Sequence, residues 1–423
     1  MLIHLFCQPV GKGFSNAQPN LIATFMDLSI SGTVSDSLAG KLIVVGVTGS
    51  IAAVRTVDLV RELIRRGAEV HCVMSNAACQ ILHPHSLEYA TGCPAITEIT
   101  GRVEHVEFCG KGGIADLLLV APATANTIGK MAVGIDDTPV TTFATTAIGS
   151  GKAVIVVPAM HEAMYRHPGV LKNLETLKSM GIVVVDPRIE EGKAKIADNQ
   201  RIVLEVERTL GPKDLASKKI LITSGSNAER IDPIRILTNR ASGRTGVEIG
   251  LEAYRRGGEV SIVHRYRMGL PFREVFAESA GDMLDAVLSE LESGYDILIS
   301  AAAIADYTLD PKDEKIKSGQ DVVLRLKPTK KMIKEIHSAY PDLKIVGFKA
   351  ETNVSYDELV MRATESMKSS DLDLVVANDV GSGGIGSEEN RVLIINRQGR
   401  ETLVQGKKSL IARKILDSLV EVL

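Results

Sequence analysis

The sequence predicts an α/β protein made of two open, largely parallel sheets in tandem. Three observations carry this. Short unbroken runs of aliphatic residues, each ended by Gly, Ser, Thr or Pro, alternate with longer segments whose apolar residues recur at helical spacing. The alternation runs twice along the chain, on either side of a charged, Gly- and Pro-bearing break, TLGPKDLASKK (209–219). The length, 423 residues, exceeds what one ordinary hydrophobic core organises.

Each element follows from its pattern. KLIVVGVTGS (41–50) is apolar at every strand position, as a strand buried on both faces should be. IAAVRTVDLVRELIRRG continues as an amphipathic helix with a Gly stop. AEVHCVMS, ADLLLVAPAT, AVIVVPAM and GIVVVDP supply the remaining strands of the first half. After the break, placed near residue 215, come strand ILITSGSN, helix GVEIGLEAYRRGG, strand EVSIVH and helix AGDMLDAVLSELESG. Strands YDILISAAAIADY, LKIVGFKAE and LDLVVANDV follow, then a hairpin, RVLIINRQGRETLV. Residues 1–39 show neither period and no basic start before an apolar block. They read as a poorly ordered extension, with Met26 a second candidate start. The expected domains are 40–210 and 216–423.

Hydrophobic residues make up 45% and charged ones 24%, an ordinary globular balance. A net charge of −3 offers no surface for nucleic acid or anionic membrane, and the apolar runs are too short to span a bilayer. Five cysteines, Cys7, Cys72, Cys79, Cys93 and Cys109, lack metal spacing and suit reduced, mostly buried thiols in a cytoplasm.

In open α/β sheets ligands gather beyond the carboxyl ends of strands. In the first half those ends read VTGSIAA, with Gly49, Ser50 and Ile51; MSNAA, with Ser75; APATAN, with Thr124 and Asn126; and PAMHEAMY, with Met160, His161 and Met164. Small residues and hydroxyls at strand-to-helix turns favour a phosphate, and Thr124 and Asn126 can hydrogen-bond a flat heterocycle. Methionines there give adaptable apolar surface or simply fill the core.

VTGSIAA, APATAN followed by KMAVGIDD, the histidine of VEHVEF, and PAMHEAMY resemble the FMN-binding cysteine decarboxylases, and among them phosphopantothenoylcysteine decarboxylase. The resemblance implies a Rossmann-like, flavodoxin-related sheet with FMN on Gly49, Ser50, Ile51, Ser75, Thr124 and Asn126. It implies His105 as the essential base. The family reaction oxidises the cysteinyl thiol, loses CO₂ from the thioaldehyde and reduces the enethiolate. Met160, His161, Met164 and Asp137 fall on substrate-binding positions; His161 and Asp137 stand where the bacterial pattern has Asn. The family's assisting cysteine is absent, and Lys195 in EEGKAKIAD occupies its place, able to donate a proton and to screen Asp137. Archaeal members share the PAMHE and EGKAKIA style.

The second half places TSGSN and NRASGRTG around a strand end and a helix start, where small residues and Arg244 suit an anion. AAAIADY ends in Asp306, a candidate Mg²⁺ ligand, and DEKIKSG offers Lys315 and Lys317. With GFKAET and ANDV these resemble phosphopantothenate–cysteine ligase, although Thr238 replaces a Ser of its pattern. The resemblance implies that Asn239 steadies an activated acyl intermediate and that Lys315 contacts its phosphate. Ala302, Ala303, Asp306 and Phe348 would then line the nucleotide. Ser366 and Ser370 stand where the family has two lysines, leaving Lys330, Lys368, Lys407 or Lys408 to supply charge for the triphosphate.

The tandem order implies a bifunctional enzyme of coenzyme A synthesis. It would join 4′-phosphopantothenate to L-cysteine with CTP through an acyl-cytidylate, then decarboxylate the product to 4′-phosphopantetheine. CTP and ATP remain alternatives. A rival reading is an FMN-binding regulatory or scaffold protein that keeps only the ligase activity. An NAD(P) oxidoreductase is a weaker rival. The resemblance also implies trimeric decarboxylase and dimeric ligase contacts, closing as a hexamer or dodecamer.

Overall fold

The computed structural model describes residues 30–190, 193–319, 321–382, 387 and 389–423; Cys7 and Met26 lie outside the described residues. The chain divides into two compact units, Met1–Ile196 and Ala197–Leu423.

Unit 1 holds one parallel sheet of β1 (Leu42–Val47), β2 (Glu69–Met74), β3 (Leu117–Ala123), β4 (Ala153–Pro158) and β5 (Val183–Val184). Its order is β2-β1-β3-β4-β5 with every pairing parallel, the flavodoxin-like arrangement, whose switch point lies between β1 and β3. The unbroken apolar runs are explained by burial: no residue of β1 or β3 is exposed. The helices used below are α1 (Thr56–Ile64), α2 (Glu104–Cys109), α3 (Ala125–Val133), α4 (Pro139–Gly149) and α5 (Pro168–Ser179). Phe143 and Ala144 of α4 and Leu174 and Leu177 of α5 share a core with Val44, Leu118 and Val156. A small antiparallel sheet follows, in which Lys193–Lys195 lies between Met160–His161 and Arg188–Glu190. Cys72, Cys93 and Cys109 are buried free thiols.

Two expectations change here. Residues 30–39, read as part of a poorly ordered extension, pack on unit 1: Leu38 is fully buried, and the N–H groups of Gly32, Val34 and Leu38 donate to the carbonyls of Ile64, Arg65 and Arg66. The segment thereby satisfies carbonyls that the end of α1 leaves open. Helix α6 (Asn199–Leu210), placed by sequence in the first domain, belongs spatially to unit 2. Its Glu205 accepts from the Tyr254 hydroxyl at 2.7 Å, its Glu207 pairs with Arg255 at 2.7 Å, and Arg208 donates to the carbonyls of Tyr254 and Gly258.

Unit 2 has an eight-stranded sheet of β6 (Lys219–Thr223), β7 (Glu259–His264), β8 (Arg273–Phe276), β9 (Ile297–Ser300), β10 (Lys344–Glu351), β11 (Leu374–Asp379), β12 (Glu389–Asn396) and β13 (Glu401–Lys407). The order is β8-β7-β6-β9-β10-β11-β12-β13. The first six strands in that row are parallel, in the Rossmann order with its switch point between β6 and β9; β12 and β13 are the antiparallel hairpin. AAAIADY is not a continuation of its strand: β9 stops at Ser300, and the next residues form a loop against the end of β6. A short hairpin, Ala228–Arg230 with Ile236–Thr238, was not foreseen. The unit's helices are α7 (Arg244–Arg255), α8 (Ala280–Leu291), α9 (Met332–Ala339), α10 (Tyr356–Ser369) and α11 (Lys408–Val420).

Candidate functional site

The ends of β1 to β4 form one continuous rim. Thr48, immediately after β1, is buried and donates its hydroxyl to the Pro122 carbonyl at 2.7 Å while accepting from the Thr124 N–H at 3.0 Å. This joins the two strands that flank the switch point. The Ser75 N–H donates to the Val47 carbonyl at 3.0 Å, and the Ala159 N–H to the Ala123 carbonyl at 3.0 Å, adding the ends of β2 and β4. Gly49 is required by close approach, since a Cβ there would meet that of Ala77 at 2.5 Å. Each turn has a hydroxyl cap: Ser50 accepts from the Ala52 N–H, Ser75 from Ala78 and Thr124 from Thr127. Ile51 and Asn126 are exposed beside them.

At the β4 end, Met160 packs against the core, whereas Met164 is 51% exposed. The core-filling reading therefore fits Met160. His161 Nδ1 accepts from the Ala163 N–H at 3.3 Å, which leaves the neutral ring with its proton on Nε2, directed away from the cap. Met160 and His161 pair with Ala194 and Lys193, so the strand carrying Lys195 lies alongside this turn.

His105 sits on the short helix α2, which starts at Val103, a β-branched residue in the left-handed region with φ 51°. Such strain is retained where surrounding structure imposes it. The His105 ring packs edge-on to Phe143 at 6.5 Å, and its Nδ1 is buried with no hydrogen-bond partner. Asp137 is engaged by Lys130, whose ammonium reaches both carboxylate oxygens at 2.8 Å. Gly134 ends α3 in the left-handed region and folds the chain back over Lys130.

In unit 2 the end of β6, the loop after β9 and the NRASG loop meet at Ala303. The Ala303 N–H donates to the Gly225 carbonyl at 2.9 Å, and Asn239 Nδ2 donates to the Ala303 carbonyl at 2.6 Å. The Ala302 N–H reaches the Thr223 hydroxyl at 3.3 Å. Gly243, with φ 74°, caps α7; a Cβ there would lie 2.7 Å from Gly225 Cα. Phe348, on β10, is partly buried against the core. Lys315 is exposed but its segment is pinned. Asp232 accepts from the N–H groups of Ile234 and Arg235 at 2.8 Å, from Ile316 at 3.2 Å and from the Arg235 guanidinium at 2.5 Å. Burial opposes ionisation of Asp232, yet these donors hold its carboxyl far below the usual range. The segment that bears Lys315 is thus held to the turn of the short hairpin whose second strand, Ile236–Thr238, leads into Asn239.

The models of two families divide the chain between them. The flavoprotein family matches residues 31–211, and the DNA/pantothenate metabolism flavoprotein C-terminal domain matches residues 215–423. The chain is 47% identical over 400 residues to the coenzyme A biosynthesis bifunctional protein CoaBC of Thermococcus kodakarensis, covering 93% of this chain and 98% of that one. The chain belongs to the CoaBC family. The CoaBC of Methanocaldococcus jannaschii is 34% identical over 394 residues, covering 92% and 96% respectively. A solved C-terminal domain of a CoaBC protein is 30% identical and covers 49% of this chain and 97% of that one, with a TM-score of 0.42.

Asp306, read as a candidate Mg²⁺ ligand, is exposed, and its carboxylate is paired with Lys331 at 2.6 Å. In this CoaBC-family chain one site expectation needs correction. Lys368 lies in the last turn of α10, which runs from the carboxyl end of β10 to the amino end of β11; it sits at the sheet edge opposite the nucleotide residues. Lys330 remains close to Asp306, because the Thr329 N–H donates to the Asp306 carbonyl at 3.0 Å. Sequence reading missed Thr48, Lys130 and Asp232. Of these, Asp232 had a local signal: Asp before Pro starts a turn by accepting backbone N–H bonds. Among the described residues no helix is long and apolar enough to cross a membrane.

Proposed function

We propose that the C-terminal half joins 4′-phosphopantothenate to L-cysteine at the expense of CTP, and that the N-terminal half decarboxylates the product with FMN. The observation that carries this reading is a single chain, aligned almost end to end with bifunctional CoaBC relatives, with a separate ligand rim in each half. Those relatives span both halves, which disfavours the ligase-only scaffold.

The first rim suits a flavin phosphate and ring. A capping hydroxyl accepts an N–H through a lone pair and keeps its own O–H for a ligand, so Ser50 and Ser75 offer neutral donors, while the Thr124 hydroxyl also lies 3.1 Å from that of Thr127. The partnerless, buried Nδ1 of His105 is the orphaned atom expected where a bound molecule completes a site. Bound FMN would supply the two-electron exchange with the substrate thiol. His105 takes the thiol proton, because the thiolate is the form that gives up electrons readily. His161 donates from Nε2 to the substrate carboxylate, and Lys195 returns a proton at the end. Cys109 is a poor alternative donor: burial, against the opposing charge of Lys152, pushes its thiol up to about 12.

In the second rim Asn239 holds its loop on Ala303 while the acyl-cytidylate waits for the cysteine amine. Lys315 offsets charge on the phosphate. The exposed apolar side chains Ile51, Val54, Tyr89 and Val106 support protomer contacts in unit 1, and we infer a hexamer or dodecamer. The free thiols suit the cytoplasm. An assay with 4′-phosphopantothenate, cysteine and either CTP or ATP, reading pyrophosphate, CO₂ and the flavin absorbance band, tests the reading. Ligation without CO₂ release would restore the scaffold alternative, and equal rates with ATP would overturn the CTP assignment.

A further inference from the structure

Two polar side chains of unit 2 are buried and take no part in the chemistry above: Asn227 is fully buried and Glu229 is 4% exposed. They stand at the start of the short hairpin that leads into Asn239. Their side chains meet, the Asn227 amide donating to Glu229 Oε1 at 3.0 Å.

From this pair, hydrogen bonds run to three other segments. In the loop after β9, the Ala305 N–H donates to Asn227 Oδ1 at 2.9 Å and the Thr308 hydroxyl to Glu229 Oε2 at 2.6 Å. In the second strand of the hairpin, the Thr238 hydroxyl donates to the Asn227 carbonyl at 2.7 Å, one residue before Asn239. The N–H of Ala280, the first residue of α8, donates to Glu229 Oε1 at 2.8 Å. That N–H is one of the groups a helix start leaves open, at its positive end.

A buried carboxylate is costly unless its lone pairs are filled, and a filled network fixes the spacing of the segments it joins. Here it joins the loop of Ala302, Ala303 and Asp306 to the strand before Asn239. The Asn239 amide already reaches the Ala303 carbonyl, but that bond is exposed. The buried pair adds a second attachment from beneath.

We propose that Asn227 and Glu229 are positioning residues of the ligase site. They lock the loop of Ala302–Asp306 onto the strand that leads to Asn239, so that the acyl-cytidylate passes to the cysteine amine and not to water. The proposal rests on the ligase reading above. Capture and loss differ only in the nucleophile at the acyl carbon. The amine gives the amide and CMP, whereas water gives back 4′-phosphopantothenate and CMP. A loosened latch admits water without removing any group that touches the reactants.

The ratio of pyrophosphate to ligated product, measured on the full chain with CTP, 4′-phosphopantothenate and saturating cysteine, tests this. The wild-type chain should give equal amounts. Glu229→Ala leaves three donors without their acceptor and should release pyrophosphate in several-fold excess over product. Asn227→Asp sets a carboxylate against Glu229 and should leak in the same way. Glu229→Gln can keep every contact, because the Thr308 hydroxyl can turn to accept the new N–H, and should hold the wild-type ratio. Thr308→Val removes only the Oε2 donor; it should leak less, and it serves if Glu229→Ala fails to fold. Slower turnover at an unchanged ratio in Glu229→Ala and Thr308→Val would mark a purely structural network and overturn the proposal. An equal leak in Glu229→Gln and Glu229→Ala would also overturn it. A wild-type chain that released no pyrophosphate would instead refute the ligase reading. Deuterium uptake by the 301–308 loop then still decides on the latch: it should rise in Glu229→Ala and not in Glu229→Gln, and no rise in Glu229→Ala would overturn the proposal.

Discussion

At the ligand edge of unit 1, the turns after β1, β2 and β3 are all capped by hydroxyls, from Ser50, Ser75 and Thr124. At the ligand edge of unit 2, α7 and α11 start without a side-chain cap, and Arg244 and Lys408 are their first residues. The difference follows the charge each edge has to meet. Neutral hydroxyl donors can hold one phosphate monoester in place, as a retained cofactor requires. Open amides at a helix start suit an anionic ligand without a neutral side chain fixed in front of them.

The largest effect expected from breaking this comparison lies outside the capped rim. His105→Asn should lower decarboxylation about 10²- to 10⁴-fold, the usual worth of a general base, while flavin absorbance and ligation stay intact. Rapid-mixing spectroscopy checks it; flavin bleaching by substrate at the wild-type rate would remove His105 from the chemistry. In the bare rim, Lys315→Gln should cut pyrophosphate release without cysteine roughly 10- to 100-fold. Asn239→Asp should allow that release but slow capture by cysteine, because a carboxylate would face the Ala303 carbonyl that the amide now bonds at 2.6 Å. Equal losses in both assays for both variants would merge the two roles.

Smaller effects sharpen the contrast. Thr48→Val removes the hydroxyl between β1 and β3 and should cost unit 1 about 1–2 kcal/mol. Flavin release on heating should move to lower temperature, with the unit 2 transition unmoved; no shift would mean that the bridge does not support the rim. Asp232 should confer a pH dependence on unit 2. Its folded carboxyl lies well below the ordinary value, so its stabilisation is complete above about pH 4 and is lost as the pH falls toward the folded value. Chemical denaturation should show Asp232→Asn losing less stability than wild type on acidification through that window. Parallel losses would assign the acid sensitivity to other carboxylates.

Strand ends were legible in the sequence because buried parallel strands leave unbroken apolar runs, and the small residue that stops each run marks a turn. The Thr48 bridge was not legible, since it depends on β3 lying next to β1, a fact of strand order. The pairing of Asp137 with Lys130, seven residues away, depends on the left-handed turn at Gly134. Lys368 could have been excluded from the start: a crossover helix descends from the ligand edge, so its last turn lies far from that edge. His105 was found through family resemblance, and only the structure shows its ring nitrogen buried without a partner.

The hairpin β12–β13 adds two antiparallel strands after β11, and two is an even number of reversals. A chain that turns back twice resumes its original heading, so α11 still sets out from the ligand edge but is carried sideways by two strand widths. One added strand would have sent Lys408 to the far edge beside Lys368. Parity, more than any contact made by the hairpin itself, decides on which side of the molecule this lysine's charge is found. Trimming the hairpin as a unit would preserve that heading, whereas trimming one strand would reverse it.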